Sequence, residues 1–390
     1  MNIGDTLNVD IIDEDNIGNG IAKYNNIIIF IKYALKDENI DIEITNIKSK
    51  YLIGKIVKII KPSKYRIDNI CPYYDKCGGC NFLHTTYSNE KNIKLKYLER
   101  LFNKEVSNLK INNELNYRNK VTLHVKDNKI GFYNDKTHSL IEIDYCYLLD
   151  DKINNIIKEI KKYDLSYINE IMIRVINNKI MLNIVSDYND LDIFNIKCDS
   201  LYLNNIFIKG EEYLIDEIND YKFSIYPNSF YQINKEGMIN IYNKAKKLLG
   251  NYKSLLDLYC GTGTIGIWVN NNSKIVGAEI NKSSIKNAKI NLKLNNINNI
   301  EFICDDAKNI RGEFDSIIVD PPRSGLSKEV INYLNDSKSN RIVYISCNPN
   351  TLKRDIDLLN NYELVNISYT DMFPRTKHVE TVILLEKKDV

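Results

Sequence analysis

The chain has 390 residues, 44% of them hydrophobic, which is enough for two or three domains with separate cores. Its apolar runs fall short of the roughly 20 residues of a membrane helix, and its first residues lack the pattern of a signal peptide. We therefore expect a cytoplasmic protein without membrane segments. The net charge is only +2, so a nucleic-acid partner would have to meet a local basic segment.

The N-terminal region alternates short β-rich runs with turns and shows no long helical pattern. A small barrel over residues 1–61 is indicated by five predicted strands, at residues 6–12, 21–24, 27–31, 40–47 and 52–60. Between Lys48 and Arg66 there are seven basic residues and no acidic one, interleaved with Tyr51 and Tyr65. Such a strip suits RNA phosphates and bases, although a solvated, lysine-rich strand edge would give the same pattern.

A cysteine segment follows the barrel. Cys71 and Cys77 are separated by five residues, and Gly78-Gly79 allow a tight turn before Cys80. With Cys146 as a fourth ligand, these thiolates suit either a zinc ion or a [4Fe-4S] cluster, and the spacing alone leaves both open. Disulfides are disfavoured because cytosolic thiols stay reduced.

The middle region, residues 62–234, is predicted to be a mixed, mostly β domain. An amphipathic helix capped by Ser88 is expected at residues 88–102, and a second helix at 152–162. The predicted strands lie at residues 121–125, 141–144, 170–176, 180–185 and 223–225.

Regular alternation of strands and helices begins after Asn234. Helices are predicted at residues 236–249 and 283–295. Strands are predicted at residues 254–259, 274–279, 301–304, 314–319, 341–346 and 381–385. Repeated strand–helix units imply an α/β fold with a parallel, doubly wound sheet over residues 235–390.

A glycine-rich turn follows the first of these strands. Glycines at positions 261 and 263 let the backbone approach a bound nucleoside, and Glu279 can accept hydrogen bonds from both ribose hydroxyls. Because Gly261-x-Gly263-x-x-Gly266 also satisfies the dinucleotide fingerprint, the turn alone leaves an NAD-dependent enzyme open.

Three further signatures stand at predicted strand ends, beginning at Asp320, Ser346 and His378. Because the carboxyl ends of parallel strands line one crevice, Asp320 and Cys347 should face the same ligand as the glycine turn. A cysteine thiolate can add to carbon 6 of uracil and so activate carbon 5, and Glu380 is the candidate base for the carbon 5 proton. A hydride-transfer enzyme has no evident use for this cysteine, which disfavours NAD.

Together these motifs resemble the RNA uracil-5 methyltransferase family, in particular its 23S ribosomal RNA branch with a TRAM domain and a [4Fe-4S] cluster. The resemblance covers a TRAM-like barrel in residues 1–60, the cysteine segment, the Ser229-Phe230-Tyr231-Gln232-Ile233-Asn234 motif and the three signatures. It implies a Rossmann-like class I methyltransferase domain at 235–390, an OB-like N-terminal barrel, and a uridine in a structured RNA loop as substrate.

The resemblance also implies roles for individual residues. Cys347 would be the nucleophile and Glu380 the base, and the cysteine segment would hold an iron–sulfur cluster rather than zinc. The implied contacts to S-adenosyl-L-methionine, with the glycine turn included, are Gln232, Tyr259, Gly261, Gly263, Glu279, Asp306 and Asp320. We expect a monomer; the alternatives are a tRNA uridine-5 methyltransferase and a noncatalytic RNA-binding ribosome assembly factor.

Overall fold

The structure of the protein is a computed structural model that describes residues 2–134 and 137–388. These residues form two compact units, one made of residues 2–103 and 373–378, the other of residues 104–372 and 379–388. Within the described part of the chain, no helix is both long and apolar enough to cross a membrane.

The first unit is built around one six-stranded sheet. Its strands are β1 (Thr6–Asp10), β2 (Asp13–Glu14), β3 (Asn19–Tyr24), β4 (Ile27–Lys32), β5 (Asn39–Ile47) and β6 (Tyr51–Lys61). They pair in the order β1-β5-β6-β4-β3-β2. Alternate residues such as Ile29 and Ile31 on β4 and Ile40 and Ile42 on β5 share one buried core, around which the sheet curls. The predicted barrel is thereby confirmed.

Two helices complete the first unit, α1 (Tyr74–Cys77) and α2 (Tyr87–Phe102). The N-cap of α2 is Thr86 in extended conformation, not the predicted Ser88, because the helix begins one residue earlier than expected. Residues 373–378 return to this unit. There the Nη1 of Arg375 donates to the carbonyls of Phe82 (3.1 Å) and Thr85 (2.8 Å).

The second unit begins with a short strand and a seven-stranded sheet. The elements are β7 (Ser107–Leu109), β8 (Lys120–Lys126), β9 (Lys129–Tyr133), β10 (Leu140–Glu142), α3 (Asp151–Ile160), β11 (Ile168–Ile176), β12 (Lys179–Ser186), a 3₁₀ turn (Asp192–Asn195), β13 (Ser200–Leu203) and β14 (Ile206–Gly210). The sheet has the order β10-β9-β8-β11-β12-β13-β14. The Asp150 side chain caps α3 by accepting from the N–H of Lys152 at 2.8 Å.

A hairpin and an eight-stranded sheet follow. The elements are β15 (Leu214–Ile218), β16 (Tyr221–Ile225), α4 (Lys235–Leu249), β17 (Ser254–Leu258), α5 (Thr264–Val269), β18 (Lys274–Glu279), α6 (Lys282–Leu294), β19 (Ile300–Cys304), a 3₁₀ turn (Ala307–Asn309), β20 (Ser316–Val319), α7 (Lys328–Asp336), β21 (Arg341–Ser346), α8 (Pro349–Leu358), β22 (Tyr362–Thr370) and β23 (Glu380–Lys387). The sheet order is β19-β18-β17-β20-β21-β23-β22-β7.

The eight-stranded sheet differs from the predicted parallel sheet in two ways. β23 runs antiparallel to both of its neighbours, β21 and β22. β7, from the predicted middle domain, pairs with β22 in parallel and joins the edge of this sheet. The predicted domain limits 1–61, 62–234 and 235–390 stay a prediction, although a limit after residue 234 leaves β7 outside its own sheet.

Candidate active site

The carboxyl edge of the eight-stranded sheet holds the predicted catalytic residues. Asp320 directly follows β20, and Cys347 directly follows β21. In the antiparallel pairing of β21 with β23, Ser346 lies opposite Thr381. Glu380, the first residue of β23, therefore lies at the same edge as Cys347. The direction of β23 is what places this carboxyl group beside the thiol.

Glu380 and Asp320 bring two carboxyl groups close together. Glu380 is only 3% exposed. Burial, and next the neighbouring Asp320, raise the pKa of Glu380 well above its ordinary value, while Arg323 opposes this shift. Burial also raises the pKa of Asp320 to about 7. Both carboxyl groups would be stabilised in their charged forms by a cation bound nearby.

Cys347 is half-buried beside these groups. Burial, followed by the charge of Glu380, raises the pKa of its thiol, whereas the Arg323 guanidinium lowers that pKa by its charge and by a hydrogen bond to the sulfur. The carbonyl of Arg323 accepts from Asn348 Nδ2 (3.0 Å) and Thr351 Oγ1 (3.2 Å), at the start of α8. Sequence reasoning gave Arg323 no role, although its place three residues after Asp320 was a usable signal.

The glycine turn between β17 and α5 lies at the same edge. The N–H of Asp320 donates to the carbonyl of Leu258, the last residue of β17, at 3.3 Å. Gly261 has a φ of +54°, and apart from its own neighbours in the chain no described residue comes within 4 Å of the position that a Cβ would take there, so the turn borders open space. The Oε2 of Glu279 accepts from the N–H of Gly261 at 3.3 Å. These positions fit the predicted nucleoside pocket.

The second glycine of the turn is required by packing. Gly263 has a φ of +76°, and a Cβ there would collide with the ring of Phe302 on β19. A side chain at this position is therefore excluded by the neighbouring strand. Its contact with a cofactor stays a prediction.

Asp257, in the middle of β17, is a buried carboxyl group that sequence reasoning did not single out. Its Oδ2 accepts from the N–H of Gly266 at 3.1 Å. Its Oδ1 has no hydrogen-bond partner among the residues that the structure describes. Burial, and next the charge of Asp320, raise the pKa of Asp257 to about 8. An aspartate inside an otherwise apolar strand was the signal that could have identified it.

The segment that carries Gln232 precedes α4 and is held by the seven-stranded sheet. Gln232 is 8% exposed, and its carbonyl accepts from Asn119 Nδ2 at 3.1 Å. Arg174 on β11 is 1% exposed. Its Nη1 donates to the carbonyl of Tyr226 (3.0 Å) and its Nη2 to that of Ser229 (3.1 Å). The two side chains fix the main chain on which Gln232 stands.

Tyr259 and Asp306 lie on neighbouring loops of this edge. Burial, and next Asp306, raise the pKa of Tyr259 to about 12. The carboxylate of Asp306 is engaged locally, since it accepts from the N–H of Lys308 at 3.1 Å and lies 3.2 Å from the Nζ of the same lysine. The adjacent Asp305 accepts from Asn309 Nδ2 at 2.9 Å. Contact of Asp306 with a ligand stays a prediction.

The predicted metal ligands lie in both units. Cys71, Cys77 and Cys80 belong to the first unit and Cys146 to the second. The Sγ of Cys77 lies beside the Gly78-Gly79 turn, at 3.5 Å from the position that a Cβ would take on Gly79. Across residues 2–134 and 137–388, no group of three or more His, Cys, Asp or Glu side chains is arranged to hold a metal ion. The thiol donors fit iron or zinc by their chemistry.

Comparison with known proteins decides the family. Residues 193–311 and 304–388 match the sequence profile of the tRNA (uracil-5-)-methyltransferase family, and residues 2–57 match the TRAM domain. An uncharacterized RNA methyltransferase of Clostridium acetobutylicum is 34% identical over 97% of this chain and 96% of its own length. The chain belongs to the RNA uracil-5 methyltransferase family. An uncharacterized RNA methyltransferase of Staphylococcus aureus strain N315 is 32% identical to this chain over 97% of each chain.

A solved structure extends the similarity to the whole fold. The tRNA (uracil-54, C5)-methyltransferase of Pyrococcus abyssi, in complex with S-adenosyl-L-homocysteine, matches with a TM-score of 0.85 and 26% identity. The match covers 97% of this chain and 100% of the other chain. The predicted fold class is confirmed, with a TRAM domain at the N-terminus and a Rossmann-like methyltransferase sheet at the C-terminus.

The candidate site suits S-adenosyl-L-methionine, the methyl donor of the family. The space beside Gly261 is open, and the Oδ1 of Asp257 has no hydrogen-bond partner among the described residues. Asp257, Asp320 and Glu380 place three carboxyl groups, each with a raised pKa, around one crevice. A ligand with a sulfonium and an ammonium group would stabilise their charged forms.

Proposed function

We propose that this protein transfers the methyl group of S-adenosyl-L-methionine to carbon 5 of a uridine in RNA, with Cys347 as covalent nucleophile and Glu380 as general base. The meeting of Cys347 and Glu380 at the edge that also holds the glycine turn carries this proposal. Carbon 5 of uracil is a poor nucleophile until a group adds to carbon 6. A thiol beside a guanidinium, whose charge favours the thiolate form against the effect of burial, is suited to that addition.

The reaction begins when the Cys347 thiolate forms a bond to carbon 6 and the electron pair of the C5=C6 double bond is displaced into an enolate. Arg323 stabilises the thiolate before this attack. S-adenosyl-L-methionine supplies an electrophilic methyl group, which carbon 5 takes up as S-adenosyl-L-homocysteine leaves. The Glu380 carboxylate then removes the proton from carbon 5. The electron pair left behind restores the double bond and expels Cys347 as the thiolate.

The remaining site residues are proposed to hold the methyl donor. The conformation of the Gln232 loop, the open side of Gly261 and the carboxylate of Glu279 beside it support this assignment. We assign the donor contacts to Gln232, Tyr259, Gly261, Gly263, Glu279, Asp306 and Asp320.

The proposal is tested with S-adenosyl-L-methionine labelled in its methyl group and unmodified total RNA. We expect label in 5-methyluridine after digestion to nucleosides. Label in another nucleoside would contradict the proposed position. A noncatalytic assembly factor would transfer no label, so the same experiment separates the enzyme from that alternative.

For the RNA substrate we propose 23S ribosomal RNA. A TRAM domain combined with a four-cysteine segment is the arrangement by which this chain resembles the ribosomal RNA branch. Transfer RNA is the second candidate, because the Pyrococcus abyssi enzyme that matches over its full length is named for uracil 54 of tRNA. Mapping 5-methyluridine in both RNAs from a deletion strain, with and without the wild-type gene restored, distinguishes the two.

We further propose that Cys71, Cys77, Cys80 and Cys146 bind a [4Fe-4S] cluster. Four thiol donors, three of them within ten residues of the chain, support this assignment. Anaerobically purified protein should contain iron and sulfide, and Cys80→Ser should lose both. Cys198→Ser, which changes a half-buried cysteine outside the set, should retain both. A colourless wild-type protein with zinc and no iron would refute the cluster.

A further inference from the structure

The seven-stranded sheet has a face that is open to solvent at one end. Along β8, Val121, Leu123 and Val125 are buried, whereas the alternating residues from Lys120 to Lys126 are partly or fully exposed. Successive side chains of a strand point to opposite faces, so the exposed residues share one face. This face, at the end formed by β8 and β9, is called the open face below.

Two aromatic rings stack on the open face. His124 lies opposite Gly131 on β9, so Tyr133, two residues further along, points to the same side. The rings of His124 and Tyr133 are 4.3 Å apart with an interplanar angle of 22°. Tyr133 remains 38% exposed. An exposed aromatic ring on a sheet is a surface on which single-stranded RNA modules stack bases.

Basic side chains flank the ring pair in register. Lys126 lies opposite Lys129, and both are exposed. Two carboxylates lie nearby. Glu142 lies 3.1 Å from the Nζ of Lys161 and 3.8 Å from the Nζ of Lys129, and the Oε2 of Glu170 lies 3.4 Å from the Nδ1 of His124. At the outer end of the open face, Lys126 can contact a phosphate group directly, and Lys129 can do so in exchange for its contact with Glu142.

The same strand leads to the candidate active site. At the inner end of β8, the Nζ of Lys120 donates to the carbonyl of Pro227 at 3.4 Å. The preceding Asn119 donates to the carbonyl of Gln232. From Lys120 to Lys126 the strand spans about 20 Å at about 3.3 Å per residue. A nucleic-acid strand leaving the cofactor edge could thus follow β8 outward.

We propose that the open face, through His124, Tyr133, Lys126 and Lys129, binds the single-stranded RNA that flanks the target uridine. One base stacks on Tyr133, and phosphates contact the two lysines. The inference rests on the proposed function, since it takes the uridine to be bound near Gln232.

Binding is measured with a fluorescein-labelled single-stranded oligouridylate, and methylation with unmodified total RNA. Tyr133→Ala should weaken oligouridylate binding about tenfold, because it removes the ring on which a base stacks. Tyr133→Phe keeps the ring and should bind like the wild type. The double variant Lys126→Ala with Lys129→Ala should make binding less sensitive to salt. The slope of log affinity against log salt should become less steep by about 1.4, which is about 0.7 for each lost phosphate contact to a single strand.

The matched control is the double variant Lys158→Ala with Lys162→Ala, which removes two exposed lysines from α3 and the turn after it. It should leave affinity and salt slope unchanged, and thermal unfolding should show that all variants are folded. Wild-type protein that does not bind the oligouridylate, or Tyr133→Ala and lysine variants that bind it as tightly as the wild type, would overturn the inference. If these variants bind the oligouridylate more weakly but the wild-type protein transfers no methyl group, the proposed function is refuted and the inference about the open face stands.

Discussion

The guanidinium of Arg323 hydrogen-bonds the sulfur of Cys347, while the carbonyl of the same arginine is held by the first turn of the helix that follows the cysteine. The two residues come from different strand ends of one sheet edge. Their relative position is fixed by the main chain as well as by the ion–thiol contact, so the charge of Arg323 acts on the thiol in the resting protein.

Replacing Arg323 by Met should shift the pH profile of methyl transfer upward. The thiol reacts as the thiolate, so the rate rises as pH rises through the thiol pKa. Burial and Glu380 raise that pKa, and Arg323 opposes them, so its loss raises the pKa further. One pKa unit would lower kcat/KM about tenfold at neutral pH. An Arg323→Met profile of kcat/KM against pH that overlays the wild-type profile would show that this charge does not reach the thiol.

Replacing Cys347 by Ala should abolish methyl transfer while leaving binding of S-adenosyl-L-homocysteine within about twofold of the wild type. The side chain is half-buried at the strand end, and its loss leaves the glycine turn intact. Titration calorimetry and a labelled-methyl assay measure the two quantities. Cys304→Ala, at an exposed cysteine of β19, is the control and should keep both. Any residual methylation above background by Cys347→Ala would contradict a covalent mechanism.

The strands around the glycine turn could be read from sequence because their apolar runs are short and end in turn residues. β18 and β21 have the predicted bounds, 274–279 and 341–346. The direction of β23 could not be read, because hydrophobic pattern does not encode whether a strand runs parallel or antiparallel to its neighbour. The sequence motif therefore suggested Glu380 as the base, but only the register of β23 with β21 in the structure placed it beside Cys347.

Contacts between segments that are far apart in the chain could not be predicted from the sequence either. Arg174 looks like an ordinary charged residue in a strand, and only folding brings it to the carbonyls of Tyr226 and Ser229. β13, β14 and β15 were missed because each has only four or five residues, too few to show a clear alternation of apolar and polar side chains. Cys347 and the glycine turn were found because their chemistry is carried by neighbouring residues in the chain.

Replacing Arg174 by Met should raise the KM for S-adenosyl-L-methionine about tenfold, with a smaller effect on kcat, because the Gln232 segment loses two hydrogen bonds. Arg174→Lys should restore part of the affinity. Asn183→Ala removes a buried polar contact to Asn205 in the same sheet and serves as the control for stability alone. If Arg174→Met and Asn183→Ala change KM equally, Arg174 has no positioning role.

Replacing Asp257 by Asn should stabilise the ligand-free protein at alkaline pH. Burial raises the pKa of Asp257 to about 8 from an ordinary value of 3.8. The folded state therefore holds this proton more tightly than the unfolded state does. The stability that this proton gives the folded protein is fully present below about pH 4 and is lost as the pH rises through about 8. Thermal unfolding from about pH 5 to 9 should give a difference between variant and wild type that grows with pH. A difference that is constant with pH would contradict the raised pKa.

The covalent adduct between Cys347 and the uracil ring is the central claim, and replacement of Glu380 by Gln tests it most directly. The amide cannot take the carbon 5 proton, so the enzyme should stop after methyl transfer with RNA still bound to the thiol. After incubation with S-adenosyl-L-methionine and unmodified RNA, we predict a slow band on a denaturing gel. Its digested peptide should carry a methylated dihydrouridine on Cys347. A Glu380→Gln protein that still transfers methyl groups but gives no adduct at Cys347 would contradict the account.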